Sequence, residues 1–279
     1  MVYDKETGQK MKCFDKIGRN IVPGSVEVLE TGSSKRGTNV PGDFDFDYIF
    51  RVDAAIENGR KGEVNKALAD KLHMEGIPSD DIRDKTAKIP GVGDVQIDVT
   101  YVKKNDKVEY STEMALEDRL ETIKRIDPKM QREIRANIIL AKLLFKQEGC
   151  YKNQFKDSLQ GGLGGVGIEN WILQNGGSLE SAARSFLAAS EGRTFEEFKK
   201  VYHVHDYGKN HMYKRKAIYP HDDFVYNNMN STGYEKIKES LRKYLLYLQG
   251  DKTILSDLES KIQDLKPQQE KQEETFKIL

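Results

Sequence analysis

Two aspartates, spaced two residues apart, begin a segment with the pattern of a β-strand. Residues 45–52, DFDYIFRV, place Asp45 and Asp47 at alternate positions, with an aromatic residue after each. Residues two apart on a strand lie on the same face of the sheet. Two carboxylates held this close repel each other unless a cation lies between them. The segment therefore predicts a strand that carries a divalent-metal site.

Two other segments of the first hundred residues show the alternation that is typical of strands. Residues 25–31 are SVEVLET, and residues 94–102, DVQIDVTYV, include Asp98 between apolar neighbours. Residues 32–42 have the composition of a loop or a short helical turn, and residues 61–75 have helical spacing. The pattern predicts a small mixed α/β unit, in which Asp98 joins the aspartate pair if the two strands are neighbours.

The residues that precede the aspartates add a phosphate-binding element. Gly32 permits a turn in which backbone N–H groups approach a phosphate closely, and Ser33 adds a hydroxyl donor. Oxygen ligands suit Mg²⁺, and two such ions align an attacking hydroxyl and a leaving pyrophosphate for in-line displacement. Asp98 would also help to take the proton from that hydroxyl. A D-x-D pair or a GS dipeptide alone is more often a solvated strand or turn, but their combination favours nucleotidyl transfer.

From Thr112 onward the pattern is mainly helical. The spacing predicts helices over 129–148 and 234–248, and a helix that begins after an N-cap at Ser178. We predict strands and loops over 200–230.

Three domains are predicted. A palm occupies residues 1–111, a helical nucleotide-binding or substrate-binding domain occupies residues 112–250, and residues 251–279 form an amphipathic helix with a polar tail. The lone Trp171 is predicted to lie in the core. The glycine cluster at 161–167 lacks the context of a dinucleotide fingerprint, so we predict that it permits close helix approach.

The segment GSSKRGTNVPGDFDFDYIF resembles the signature of the DNA polymerase β-type nucleotidyltransferase superfamily. Within it, the chain is most similar to the class I (archaeal-type) CCA-adding enzymes, and more distantly to oligoadenylate and cyclic-nucleotide synthases. The resemblance implies an α+β fold, with a polymerase-β-like palm (a mixed sheet with flanking helices) followed by a mainly helical second domain. It also implies catalytic metal ligands and a set of nucleotide-binding residues in the palm: Asp45, Asp47 and Asp98 as ligands of two Mg²⁺ ions, and Gly32, Ser33 and Arg36 for the nucleotide.

The resemblance continues into the second half of the chain. LAKLLFKQEGCYKNQF at 140–155 is similar to a family helix, which implies that Lys142 contacts the triphosphate and that Tyr151 lines the nucleotide pocket. The chain departs from the family in three places. Gly164 and Val166 replace a serine and an aromatic residue, Leu120-Glu121-Thr122 replaces a sequence with proline and histidine, and the chain ends before the C-terminal domain that anchors tRNA.

The acceptor is left open by these motifs. The leading hypothesis is an enzyme that adds NMP, from ATP and/or CTP, to an RNA or tRNA 3′ end. The first alternative is the synthesis of short or cyclic oligonucleotide signals from NTPs, and the second is a catalytically inactive module that binds RNA or nucleotides. Loss of any one of the three carboxylates would favour the inactive module, and all three are present.

A second polar segment has two interpretations. His203 and His205, with His211 nearby, resemble part of a zinc site, but no further ligand pair completes it. Tyrosines and basic residues alternate from 202 to 216, which makes this segment the best candidate RNA surface. The alternative interpretation is an exposed polar hairpin.

Composition limits the class of protein. Lys+Arg and Asp+Glu each number 45, so the formal net charge is zero and an overwhelmingly basic protein is excluded. The mean hydropathy of -0.69 and the absence of a long apolar run predict no membrane association. Without an apolar N-terminal segment, and with Cys13 and Cys150 at no metal or redox spacing, we expect a cytoplasmic protein with reduced thiols. The C-terminal helix offers a possible oligomer contact.

Overall fold

The structure is a computed structural model of the 279-residue chain, and it divides into two compact units. The first unit comprises residues 1–109 and 263–279, and the second comprises residues 110–262. The predicted helix at 61–75 and the predicted C-terminal helix with its oligomer contact lie outside the described residues. The structure describes residues 25–40, 45–52, 81–83, 86–89, 95–103, 112–151, 161–204 and 229–251.

The first unit contains a mixed five-stranded sheet in the order β1-β2-β5-β4-β3. Strands β2 and β5 are parallel, and the other neighbouring strands are antiparallel. A short helix, α1, follows the first strand directly. The elements are β1 (Ser25–Thr31), α1 (Gly32–Arg36), β2 (Asp45–Val52), β3 (Asp81–Arg83), β4 (Thr86–Ile89) and β5 (Val95–Lys103).

Around the aspartates, alternation in the sequence places polar residues on one face of the sheet and apolar residues on the other. The row through Phe46 pairs it with Ile97, then Ala87, then Ile82, and all four are apolar. The next row, on the other face, runs from Thr31 through Asp47 to Asp98. The predicted strands at 25–31 and 45–52 are confirmed, and the strand predicted at 94–102 runs one residue later.

The described residues of the second unit are mainly helical. Helix α3 begins after Asp127, whose carboxylate accepts hydrogen bonds from the N–H groups of Lys129 and Met130. Ser178 caps α5 as predicted, because its hydroxyl accepts a hydrogen bond from the Ser181 N–H. The helices are α2 (Thr112–Ile126), α3 (Pro128–Gln147), α4 (Gly165–Gln174), α5 (Leu179–Ser190), α6 (Phe195–Val201) and α7 (Ser231–Leu248).

Aromatic side chains form the centre of the second unit. Trp171 is completely buried, as predicted, and lies 5.9 Å from Phe145 and 6.0 Å from Phe186 between ring centroids. Its indole N–H donates a hydrogen bond to the Tyr202 hydroxyl at 3.0 Å. A buried indole therefore keeps a partner for its one polar group.

Glycines let two segments of backbone touch in this unit. A Cβ at Gly233, in the first turn of α7, would collide with the Gly161 carbonyl, and a Cβ at Gly162 would collide with the Cys150 carbonyl. Within the cluster at 161–167, Gly162 therefore permits a close approach to the backbone at Cys150, and close approach between helices stays a prediction.

The prediction of strands and loops over 200–230 is wrong at its start. Residues 200 and 201 end helix α6, whereas residues 202–204 form a loop and not a strand. The physical reason is that Tyr202 and Val204 are buried in the core, so the segment follows the packing of the helices. Burial also removes Tyr202 from the candidate RNA surface, and residues 205–216 of that surface lie outside the described residues. None of the described helices is both long and apolar enough to cross a membrane.

Candidate active site

The register of the sheet brings the predicted catalytic aspartates into two adjacent rows. Asp47 on β2 is paired with Asp98 on β5, its parallel neighbour, and Asp45 is paired with Gln96. Neighbouring strands lie about 4.8 Å apart, and paired residues share a face of the sheet. The condition attached to Asp98, that its strand lies beside the strand of the aspartate pair, is therefore met.

The backbone of Gly32 lies so close to the Asp47 carboxylate that a residue with a side chain would not fit at this position. It follows the last residue of β1, Thr31, which is itself paired with Asp47. Gly32 has a φ of 80°, in the left-handed region, and a Cβ at this position would collide with the Asp47 carboxylate, with 2.9 Å to its Cγ. The backbone at the start of α1 thus lies directly against the aspartate row.

Ser33 and Arg36 belong to the same helical turn. Ser33 is half-buried, while Arg36 is only 3% exposed. The N–H of Thr38 donates a hydrogen bond to the Ser33 carbonyl at 2.9 Å, which closes the turn after the left-handed Gly37. The nucleotide-binding roles of Ser33 and Arg36 stay predictions.

The donor set at the aspartate row fits a hard divalent cation. Three aspartates offer oxygen ligands only, which Mg²⁺ prefers, and the absence of a side chain at Gly32 lets the Asp47 carboxylate lie against the backbone there. Among the side chains that the structure describes, no group of three His, Cys, Asp or Glu residues is placed to hold a metal ion. Of the three predicted ligands, only Asp47 has its side chain within the described part of the structure.

Lys142 lies in the second unit as half of a buried ion pair. Its ammonium donates a hydrogen bond to Glu169 Oε1 at 2.7 Å, and the two side chains are 1% and 0% exposed. Sequence reasoning missed Glu169. The signal that could have found it is a single carboxylate in the apolar helix GVGIENWILQ, because a buried charge requires a partner.

Tyr151 lies close to this ion pair. It is half-buried, and its backbone forms an isolated parallel bridge with Leu163. The Tyr151 hydroxyl and the Lys142 ammonium lie 3.4 and 3.6 Å from the point where a side chain at Gly165 would begin. The two predicted nucleotide-binding residues of the second unit are therefore neighbours, and their contact with a nucleotide stays a prediction.

No family model and no curated protein match this chain in sequence. Solved structures do match it. The STING-associated c-di-GMP synthase CdnE from Capnocytophaga granulosa matches with a TM-score of 0.51 and 14% identity, over 88% of this chain and 78% of that one.

Two further matches have lower TM-scores. CdnC from E. coli MS115-1, solved with ATP, has a TM-score of 0.47 and 13% identity, over 82% of this chain and 80% of that one. Cid1 with the UTP analogue UMPNPP has a TM-score of 0.39 and 13% identity, over 85% of this chain and 63% of that one.

At such low identity the comparisons describe the fold alone. The similarity to CdnE extends over most of both chains. The chain has the fold of the polymerase β-type nucleotidyltransferases.

Proposed function

We propose that this chain is a metal-dependent nucleotidyltransferase that transfers NMP from an NTP to a hydroxyl of an acceptor. One observation carries the proposal, which is the pairing of Asp47 with Asp98 on adjacent parallel strands. Gly32 supports it, because its backbone lies against the Asp47 carboxylate. Paired carboxylates repel each other unless a cation lies between them, and the proposed metal would supply that cation.

The three aspartates and the glycine turn each have a role in the proposed reaction. Asp45, Asp47 and Asp98 would hold Mg²⁺, which when bound supplies charge neutralisation for the triphosphate and for the attacking hydroxyl. The glycine turn at Gly32 would let backbone N–H groups approach a phosphate group closely, and Ser33 would donate a hydrogen bond to it. Asp98 accepts the proton of the acceptor hydroxyl. The bond from that hydroxyl to the α-phosphorus forms as the bond to pyrophosphate breaks.

Two acceptors are supported by different observations. The resemblance of the chain to the class I CCA-adding enzymes supports the 3′ hydroxyl of an RNA. The structural similarity to CdnE, a c-di-GMP synthase, supports a second nucleotide as the acceptor.

Labelled nucleotides distinguish the two acceptors. The purified chain is incubated with Mg²⁺ and each α-labelled NTP, with and without a tRNA pool that lacks its 3′ end. Label in the tRNA establishes RNA extension and identifies the base. Label in small products formed without RNA establishes oligonucleotide synthesis. No incorporation in either arm, repeated with Mn²⁺, contradicts the proposal and favours the inactive binding module.

A further inference from the structure

The aspartate row continues beyond Asp98 to the far edge of the sheet. Asp98 on β5 is paired with Thr86 on β4, and Thr86 is paired with Arg83 on β3. With Thr31 and Asp47 on the other side, one unbroken row of polar residues crosses all five strands. Because paired residues share a face, Thr86 and Arg83 lie on the same face as the aspartates.

The neighbouring row on the same face, which contains Asp45, is also polar. Asp45 is paired with Gln96, Gln96 with Lys88, and Lys88 with Asp81. The intervening row on the opposite face is apolar throughout. These two polar rows run from the candidate catalytic centre to an edge strand and offer polar groups to a ligand on the Asp98 side.

The two rows differ in charge at the edge of the sheet. Lys88 has Asp81 as its register neighbour on β3, and opposite charges in register offset each other. Arg83 has the neutral Thr86 as its register neighbour. The row of Asp47 and Asp98 therefore ends in a hydroxyl and a guanidinium, two groups that donate hydrogen bonds to phosphate.

We propose that Thr86 and Arg83 bind a phosphate group of the acceptor nucleotide on the Asp98 side of the site. This inference rests on the proposed function, in which Asp98 accepts the proton of the acceptor hydroxyl. Arg83 lies two strands from Asp98, roughly 10 Å away at the usual strand spacing. A phosphate of the acceptor nucleotide lies near its hydroxyl, which places it between the two. The acceptor is thereby required to carry a phosphate, whether in an RNA chain or in a free nucleotide.

Substituting the acceptor tests the charge directly. One pair of acceptors is a short RNA with either a phosphate or a neutral methylphosphonate before its last nucleoside, and a second pair is an NTP and the matching nucleoside. For each acceptor we would measure kcat/KM for the acceptor and the Michaelis constant for the donor NTP. We expect loss of the acceptor charge to lower kcat/KM by roughly 10- to 100-fold in the wild type, as for a charge-assisted hydrogen bond.

Variants of Arg83 test whether this residue binds the charged phosphate of the acceptor. Arg83→Gln should lower kcat/KM for the charged acceptor, leave the donor Michaelis constant unchanged, and respond equally to charged and neutral acceptors. Arg83→Lys should restore part of the preference, because it keeps the charge. The matched control is Arg51→Gln, on the same face of β2 and four residues from Asp47, which should keep the full preference.

Each outcome of these measurements supports or contradicts the inference. A preference confined to the RNA pair or to the nucleotide pair identifies the source of the phosphate. Full preference for the charged acceptor in Arg83→Gln overturns the inference and leaves the proposed function intact. If the wild type transfers no NMP, the proposed function fails, and fluorescence anisotropy with the two labelled RNAs then decides. Tighter binding of the phosphate form by the wild type but not by Arg83→Gln supports the inference, and equal binding by both contradicts it.

Discussion

Gly32 is a position at which both the backbone and its surroundings restrict the choice of residue. Its φ of 80° favours glycine, and the space where a side chain would begin is filled by the Asp47 carboxylate. Backbone conformation and side-chain clearance therefore both require glycine beside the aspartate row. The sequence showed the glycine and the aspartates, but not that they touch.

Gly32→Ala should lower stability and disturb Asp47 together. The left-handed backbone costs about 1–2 kcal/mol for a residue with a Cβ, and the collision displaces the carboxylate. The control is Gly176→Ala, which has a φ of 73° and nothing within 4 Å of its Cβ position. Urea unfolding should show a loss for both variants, whereas NMP transfer should fail in Gly32→Ala alone. Equal activity in both would contradict the close approach.

The buried Cys150 thiol makes stability depend on alkaline pH. Burial, with a smaller effect of Glu148, raises the pKa of the Cys150 thiol from 9.0 to about 12. Between these values the unfolded thiol loses its proton and the folded one keeps it, so stability is present below pH 9 and falls as pH rises. The expected slope is ~1.4 kcal/mol per pH unit.

Unfolding curves measured from pH 8 to pH 11 check this dependence in a Cys13→Ser background. Cys150→Ala should flatten the curve above pH 9, and native Cys150 should resist alkylation at pH 8. Rapid alkylation without unfolding would contradict the burial of the thiol.

Among the elements, long periodic segments were predictable and short ones were not. Alternation predicted β1, β2 and β5, and caps predicted the start of α5. β3 and β4 have three and four residues, too few for periodicity to identify. They are stabilised by pairing across the sheet, and the residues that they add to the polar face were missed for this reason. Helix α6 was also missed, although Thr194 and Glu197 form a capping box at its start.

The ion pair of Lys142 and Glu169 should stabilise the packing of α3 against α4. Glu169→Gln or Lys142→Met leaves one buried charge without its partner, which costs about 3–5 kcal/mol. The matched control is the exposed pair of Arg184 and Glu180 at 2.7 Å, where Glu180→Gln should cost about 1 kcal/mol or less. Chemical denaturation measures both, and equal small losses would contradict the buried pair.

Lys142 also has a predicted role in nucleotide binding, which kinetics can separate from stability. Lys142→Ala should raise the Michaelis constant for NTP at a temperature where the variant is still folded. Glu169→Gln, which disturbs the same ion pair but keeps the ammonium, serves as the control. An unchanged Michaelis constant in Lys142→Ala would leave the lysine with its structural role alone.

At the scale of the whole molecule, the candidate site depends on strand order. Asp47 and Asp98 are far apart in the chain and become neighbours because β5 lies beside β2. Local patterns identify strands but do not determine which strands pair, so the sequence alone left this pairing as a condition. The second unit was more predictable as a helical body, since its core follows from helical spacing of apolar residues.

The most direct test is the Mg²⁺ dependence of pyrophosphate release from NTP by the wild type, Asp47→Asn and Asp98→Asn. We expect release by the wild type that requires Mg²⁺ and is restored by adding it after chelation. Each variant should remain folded and lose activity by roughly 10³-fold or more, because a lost metal ligand removes several kcal/mol of transition-state stabilisation. Pyrophosphate release at the wild-type rate by either folded variant, or release that is independent of divalent metal, would contradict the account.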